Sequence, residues 1–274
     1  GEDKEGVIHA TEFLKNVALG KPADIKGKRV AVVGGGNSAI DAARVALRLG
    51  ASEVHIIYRR RREDMPAQDI EVEDAKQEGV QFQFLTNPIE IVGDKAVTGL
   101  KLQLQDLGDF DRSGRRRPVP MEGSEFVMPI DIVIPAVGQS PDLSGLNGDS
   151  PEVNRDSTFK VDRFLNTSRP GVFAAGDAVL GPATVVEAVG QGNKVAMTVD
   201  EYLRKGDQKS KESWLAYTTV EVTHNMEDYA DAKRPEMPVL EPAERVKSFA
   251  EVERGLSGCA ACEEAKRCLR CDLD

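Results

Sequence analysis

The sequence lacks any apolar run near the roughly 18 residues that a membrane-spanning helix needs, and nothing near Gly1 resembles a signal peptide. It also lacks an excess of basic residues. There are 36 Lys and Arg against 46 Asp and Glu, which gives a net charge of -10 at pH 7 and disfavours polyanionic partners. We therefore expect no nucleic-acid partner, no membrane insertion and a cytoplasmic location.

Cysteine is missing from almost the whole chain and is confined to one short stretch. The four residues follow the spacing CxxC-x5-CxxC: Cys259, Cys262, Cys268 and Cys271. This clustering differs from the spread-out disulfide framework of small secreted proteins. Three interpretations stay open. The first is a [4Fe-4S] cluster, which needs four converging thiolates and is the preferred interpretation. The second is a zinc site, although five residues between the two CxxC pairs are fewer than zinc sites usually have. The third is a set of free or redox-active thiols.

The stretch 29–51, RVAVVGGGNSAIDAARVALRLGA, predicts a buried strand, a glycine turn and an amphipathic helix. Gly34 allows a tight turn, Gly36 lets backbone amides approach a pyrophosphate, and Ala39 is small enough to replace the usual third glycine. The helix N-terminus would direct free N–H groups at the phosphates. Because a second strand follows at 54–58, the pattern predicts a dinucleotide site in preference to an unliganded turn.

The end of that second strand is where such domains distinguish NAD from NADP. An acidic side chain there would bind a free ribose hydroxyl, whereas arginines bind a 2′-phosphate. The chain has Arg59 and Arg60 at this point, and its nearest acid is Glu63. The sequence therefore favours NADPH over NADH. A second basic run, residues 115–117, is explained by a charged hairpin tip.

Further strands are predicted at 80–85, 89–92, 97–105 and 125–130, with a loop over 112–120. The last three alternate polar and apolar residues and predict a β-meander. An apolar strand at 131–137 then ends at Gly138. We expect an α/β fold in four parts: a lead-in at 1–27, a Rossmann-like NAD(P) domain with the meander at 28–129, part of a second dinucleotide domain at 130–204, and an irregular tail with the four cysteines at 205–274.

A second informative block, 166–196, predicts a buried strand at 172–175 that ends in Gly176 and Asp177, with a helix starting near Thr184. Gly176 permits close backbone approach to a ligand. Asp177 could accept a hydrogen bond from a polyol hydroxyl, and the helix N-terminus could stabilise negative charge on a flavin ring edge. The alternative is an ordinary β-turn without a ligand, which would be enough to explain the Gly-Asp pair if it stood by itself.

These motifs carry a family resemblance. The run T-x4-VFAAGD at 167–177 resembles the second flavin-binding signature of flavoproteins with two dinucleotide domains. The runs VAVVGGGNSAIDAARVALRLGA, YRRRREDMPA and DIVIPAVGQSPD resemble the glutamate synthase small-subunit group of NAD(P)H:flavin oxidoreductases, as does EAKRCLRC in the tail. The resemblance covers residues 1–196, and it implies a flavin-dependent oxidoreductase subunit or fragment.

The resemblance also implies roles for individual residues. NADPH or NADH would be bound through Gly34, Gly36, Asn37, Ser38, Arg59 and Arg60, and FAD through Gly176, Asp177, Thr184 and Val185. Gly138, at the end of the strand at 131–137, is a further candidate cofactor-binding residue. Hydride transfer from nicotinamide to flavin requires no side-chain acid, base or nucleophile, so no catalytic residue is expected.

In that group the NAD(P) domain is inserted into the FAD domain. The resemblance therefore implies that residues 1–27 contain part of a partial FAD-binding domain and that residues 130–204 form its second half. The first flavin-binding segment would precede the position that corresponds to Gly1, so we expect FAD binding only with a segment that supplies the missing half. Electrons would then leave through iron-sulfur centres to an acceptor subunit or domain. The alternative is a non-catalytic module that senses NAD(P) within a larger complex.

Overall fold

The computed structural model describes residues 1–111, 114–143, 145–146, 150–205 and 233–266. They form two compact units. The first unit contains Gly1–Val137 and Arg234–Glu263, and the second contains the remaining described residues. None of the helices in these ranges is both long enough and apolar enough to cross a membrane.

The first unit is built on a four-stranded parallel sheet. Its strands are β1 (Arg29–Val33), β2 (Glu53–Tyr58), β3 (Gln81–Phe84) and β7 (Ile132–Pro135), in the spatial order β3-β2-β1-β7. The helices of this unit before residue 80 are α1 (Ala10–Ala18), α2 (Asn37–Arg48) and α3 (Asp69–Gln77). The order places β1 between β2 and β7. The turn after β1 therefore lies at the carboxyl end of the sheet, with a neighbouring strand on each side.

The core explains why α2 can lie close to the sheet. Its buried face consists mostly of alanine, with Ile40 as the large residue, and it packs against Val30, Val32 and Val54 on β1 and β2. Small side chains shorten the distance between the helix and the strands, which brings the first turn of α2 next to the glycine turn.

A three-stranded antiparallel meander covers the other face of the sheet. Its strands are β4 (Thr86–Val92), β5 (Gly99–Phe110) and β6 (Arg116–Met128). Leu100 and Leu102 of β5 pack with Ala31, Ile57 and Val133 in a second core. The predicted loop over 112–120 is wrong for 116–120, which belong to β6. The prolines there hid the strand, but they are compatible with its position at the edge of the meander.

An ion pair fixes the start of β1 to the residue before β7. The Arg29 guanidinium donates to both carboxylate oxygens of Asp131 at 2.8 and 3.0 Å, and the Arg29 backbone N–H donates to the same carboxylate at 2.9 Å. These hydrogen bonds lower the pKa of Asp131 to about 2. The group is therefore charged throughout the neutral range and holds the register of the two strands.

Between residues 150 and 205, the second unit forms α4 (Asp177–Leu180) and α5 (Val185–Lys205). The helix predicted from Thr184 is confirmed. The strand predicted at 172–175 is wrong, because among the described residues this segment makes only one bridge, between Phe173 and Asn166, and its side chains are half-buried. Backbone that lacks a continuous partner strand does not form a ladder.

The segment Arg234–Glu263, which we call the C-terminal strap, packs on α2 and α3 of the first unit. It contains α6 (Pro242–Arg245) and the start of α7 (Gly258–Lys266). The Arg245 side chain is buried and lies 2.9 Å from the Asp74 carboxylate on α3. A cavity of about 480 Å³ is lined by Phe249 of the strap together with Leu14 and Val45.

Candidate functional site

The turn between β1 and α2 is shaped by three consecutive glycines. Gly34 has a positive φ of 146°, and a Cβ there would lie 2.3 Å from the Ala136 carbonyl oxygen. A Cβ on Gly35 would lie 2.4 Å from the Tyr58 ring. Gly36 differs, because the nearest atom to a Cβ there is Pro66 Cγ at 4.0 Å. The first two glycines are required by the protein itself, and the third borders open space.

Gly36 is also the N-cap residue of α2. No described side chain caps this helix by a hydrogen bond, and its first turn contains no acidic residue. The amides of Asn37 and Ser38, in the first turn, have no acceptor within the helix because of the geometry of every α-helix. Open space, free amides and the positive end of the helix dipole therefore coincide at Gly36, which is the arrangement that binds phosphate.

The loop after β2 folds back over this turn. The Ala67 N–H donates to the Gly35 carbonyl at 3.1 Å, and the Gln68 N–H donates to the Asn37 Oδ1 at 3.1 Å. The Tyr58 hydroxyl donates to the Asp64 carbonyl at 2.6 Å. The roles of Gly35 and Tyr58 were not predicted from the sequence. The third glycine in the run and the aromatic residue that ends β2 were the available signals.

The two arginines predicted to bind a 2′-phosphate have different environments. Arg59 is exposed. Arg60 is only 6% exposed, and its guanidinium donates to the Asp111 carboxylate at 2.6 Å and to the Arg116 carbonyl at 2.9 Å. The structure thus gives Arg60 partners within the protein and leaves Arg59 as the accessible guanidinium.

In the second unit, Gly176 and Asp177 lie at the start of α4. Gly176 has a φ of 67°, which favours glycine, and its N–H donates to the Gln191 side chain at 2.7 Å. Asp177 is the first residue of α4 and is exposed. Gly138, also exposed, has a φ of 120°. The other predicted cofactor residues on this unit, Thr184 and Val185, lie at the start of α5.

The start of α5 is closed by a reciprocal capping interaction. The Thr184 N–H and hydroxyl both donate to the Glu187 carboxylate, at 2.9 and 2.7 Å, and the Glu187 N–H donates back to the hydroxyl. The bonds from Thr184 lower the pKa of Glu187. The Thr184 amide, predicted to face a flavin ring, therefore has an acceptor already, whereas Val185 is 79% exposed.

Two of the predicted metal ligands can be located. Cys259 and Cys262 are exposed free thiols on α7, three residues apart and hence on one face of the helix. Cys268 and Cys271 lie outside the described residues. In the ranges that the structure does describe, no three His, Cys, Asp or Glu side chains are grouped so that they could hold a metal ion.

The parallel sheet, the central glycine turn and the antiparallel meander define a Rossmann-like α/β protein, as predicted. The family model for pyridine nucleotide-disulphide oxidoreductases matches residues 2–192. The chain belongs to this family.

Individual relatives agree with that assignment. The chain is 48% identical over 281 residues to the beta subunit of an NADP(+)-dependent formate dehydrogenase from Moorella thermoacetica, covering 99% of this chain and 40% of the relative. It is 37% identical over 219 residues to the glutamate synthase [NADPH] small chain of Escherichia coli (strain K12), covering 74% of this chain and 46% of the relative. The predicted resemblance to the glutamate synthase small-subunit group is confirmed, and the chain spans less than half the length of these relatives.

Among solved structures, thioredoxin reductase from T. acidophilum is similar with a TM-score of 0.55 and 30% identity, over 71% of this chain and 57% of that one.

Proposed function

We propose that the chain is the nucleotide-binding part of an NAD(P)H:flavin oxidoreductase subunit. The observation that carries this proposal is Gly36. It is the one glycine of the turn whose missing side chain leaves open space at the N-terminus of α2, where a pyrophosphate would fit. The two relatives named above are called NADP(+)-dependent or [NADPH] enzymes, which supports the same nucleotide.

NADPH in this site would lie with its pyrophosphate on the amides of Asn37 and Ser38. Arg59 would donate to the 2′-phosphate from its exposed position, and Arg60 would hold the loop in place through Asp111. A bound nicotinamide supplies a hydride that a flavin can accept. The contribution of these side chains is binding and orientation, which is sufficient for such a transfer.

FAD would use the second unit. The positive φ of Gly176 allows close backbone approach, the exposed Asp177 carboxylate can accept a hydrogen bond from a ribityl hydroxyl, and the Val185 amide can face the flavin ring. The other half of the flavin site would come from a further segment or a partner chain. Electrons would then pass to an iron-sulfur centre and an acceptor subunit.

Calorimetry tests the nucleotide site directly. The 274-residue chain should bind NADPH more tightly than NADH, and Arg59→Ala should reduce the affinity for NADPH about tenfold or more while leaving NADH almost unchanged, because a charge-assisted bond contributes about 1.5 to 3 kcal/mol. Equal losses for both nucleotides would show that Arg59 does not bind the 2′-phosphate. Lack of heat and thermal stabilisation with either nucleotide would refute the site.

The cysteines allow a separate test of the route for electrons. Protein prepared without oxygen should contain about four irons per chain and show broad visible absorbance that bleaches with dithionite. Cys259→Ser should remove the iron, whereas Ala261→Ser, on the same helix, should retain it. Stoichiometric zinc without colour would favour a structural site, and metal-free thiols would contradict both. A colourless chain that binds nucleotide would support the sensing module.

A further inference from the structure

The tip of the hairpin between β5 and β6 is tied to the loop that follows β2. The connection is the buried guanidinium of Arg60, which bonds Asp111 on one side of the tip and the Arg116 carbonyl on the other. The Arg60 carbonyl accepts a hydrogen bond from the Leu85 N–H at 3.1 Å, so the loop itself is fixed. The hairpin tip therefore lies within one arginine side chain of the carboxyl end of β2.

This neighbourhood holds two arginine runs, residues 59–62 and 115–117, in a chain whose net charge is -10. Carboxylate partners lie within 4 Å of arginines in the first run: Arg60 pairs with Asp111, Arg61 with Glu63 and Asp64, and Arg62 with Asp69. The acidic side chains that follow the first arginine run, Glu63, Asp64 and Asp69, are therefore all paired with Arg61 or Arg62.

Three other arginines of the two runs, Arg59, Arg116 and Arg117, are exposed. Within the ranges described, none of the three forms an ion pair with a carboxylate. The Arg116 guanidinium lies 5.8 Å from the centre of the Phe110 ring, which holds a cation in place without neutralising it. Three accessible cations are thus concentrated at one end of the nucleotide unit.

We propose that Arg116 and Arg117 form a second arm of the 2′-phosphate site, opposite Arg59. This inference rests on the proposed function. In Rossmann-like units the adenosine ribose lies at the end of the second strand, and Arg60 holds the hairpin tip at that end. A phosphate monoester carries nearly two negative charges and several acceptor oxygens, which planar guanidinium groups bind in pairs. Asp111 acts as a positioning residue, because it holds the Arg60 side chain that joins the two segments.

Binding of NADPH and NADH to variants of the full chain tests the inference. The double change Arg116→Ala and Arg117→Ala should weaken NADPH by about 10- to 100-fold and change NADH less than about twofold, since only NADPH has the 2′-phosphate. Arg254→Ala, an exposed arginine on the C-terminal strap, removes the same kind of charge and should leave both affinities unchanged. Circular dichroism should show that each variant is folded.

Asp111→Asn separates positioning from net charge. Removing a negative charge should strengthen the binding of an anion if charge alone matters, whereas loss of the Arg60 contact should weaken NADPH relative to NADH. Unchanged selectivity in the double arginine variant, or tighter NADPH binding by Asp111→Asn, would overturn the inference while the proposed function stands. Failure of the unmodified chain to bind either nucleotide would overturn both.

Discussion

Gly36→Val should abolish measurable NADPH and NADH binding while leaving the protein folded. A valine at Gly36 would place its branched side chain in the space proposed for the pyrophosphate, yet the nearest protein atom to the new Cβ is 4.0 Å away. The φ of -90° at this residue suits any amino acid. We expect at least a 100-fold loss of affinity, about 2.7 kcal/mol, with a melting temperature within a few degrees of the unmodified chain. Calorimetry and thermal unfolding would measure the two effects.

The neighbouring glycine provides the matched control. Gly34→Val should destabilise the fold by about 2 to 4 kcal/mol, because its Cβ would overlap the Ala136 carbonyl and its φ is positive. The two variants add the same side chain two residues apart. A stable Gly36→Val protein with unchanged nucleotide affinity would place the nucleotide elsewhere.

Arg245→Ala should destabilise the first unit and release the C-terminal strap. The Arg245 guanidinium is buried, bonds the Leu240 carbonyl at 2.5 Å and lies at ion-pair distance from Asp74. Removing it leaves Asp74 with the weaker contact to Arg44 at 3.3 Å. We expect a loss of about 2 to 3 kcal/mol, below the usual 3 to 5 for a broken buried pair because Asp74 keeps one partner. Urea unfolding would measure the loss, and limited proteolysis would show earlier cleavage within the strap.

Two variants on the same segment sharpen this result. Arg245→Met keeps most of the apolar length and isolates the contribution of the charge. Arg254→Ala removes an exposed arginine and should change stability by less than about 0.5 kcal/mol. An Arg245→Ala protein that unfolds at the same urea concentration as the unmodified chain would show that the ion pair does not hold the strap.

Arg245 pairs with one member of an acidic cluster that consists of Glu71, Asp74 and Glu78. Two arginines of α2 also form ion pairs with this cluster. Arg44 and Arg48 bond the fully buried Glu78 carboxylate at 2.7 and 2.8 Å, and Arg44 also pairs with Glu71. Burial alone would raise the pKa of Glu78, but the hydrogen bonds from Arg44 and Arg48 outweigh it and the pKa is lowered. Glu78 is therefore ionised at neutral pH and holds Arg44 and Arg48 in place beside Asp74, the residue that pairs with Arg245.

The nucleotide unit was largely predictable because its signals are local. A run of β-branched residues, glycines in a fixed spacing and an alanine-rich helix follow one another without a gap in residues 29–51. The prediction of a strand at 172–175 was wrong because strand formation depends on a partner that is not local. Its apolar residues meet the local pattern, but a strand also needs a partner, and only Asn166 bridges to it among the residues described.

Contacts between residues far apart in the chain could not be predicted from local sequence patterns. The environment of Arg60 depends on Asp111, about 50 residues away, and nothing in the run of arginines distinguishes Arg60 from Arg59. Proline at 118 and 120 concealed the first part of β6, since the residue type argues against a strand unless its edge position is known. The docking of the strap through Arg245 had no local signature.

The strap has a consequence for synthesis of the chain on the ribosome. Roughly 170 residues separate Asp74 from Arg245, and at about 5 to 20 residues per second their translation takes on the order of 10 to 30 s. During this interval the sheet, α2 and α3 can assemble, but the acidic face of α3 lacks Arg245, and the side of the cavity that contains Leu14 and Val45 lacks the wall that the strap supplies. Nascent chains that end before residue 245 should accordingly be a preferred substrate for chaperones that bind exposed apolar surface.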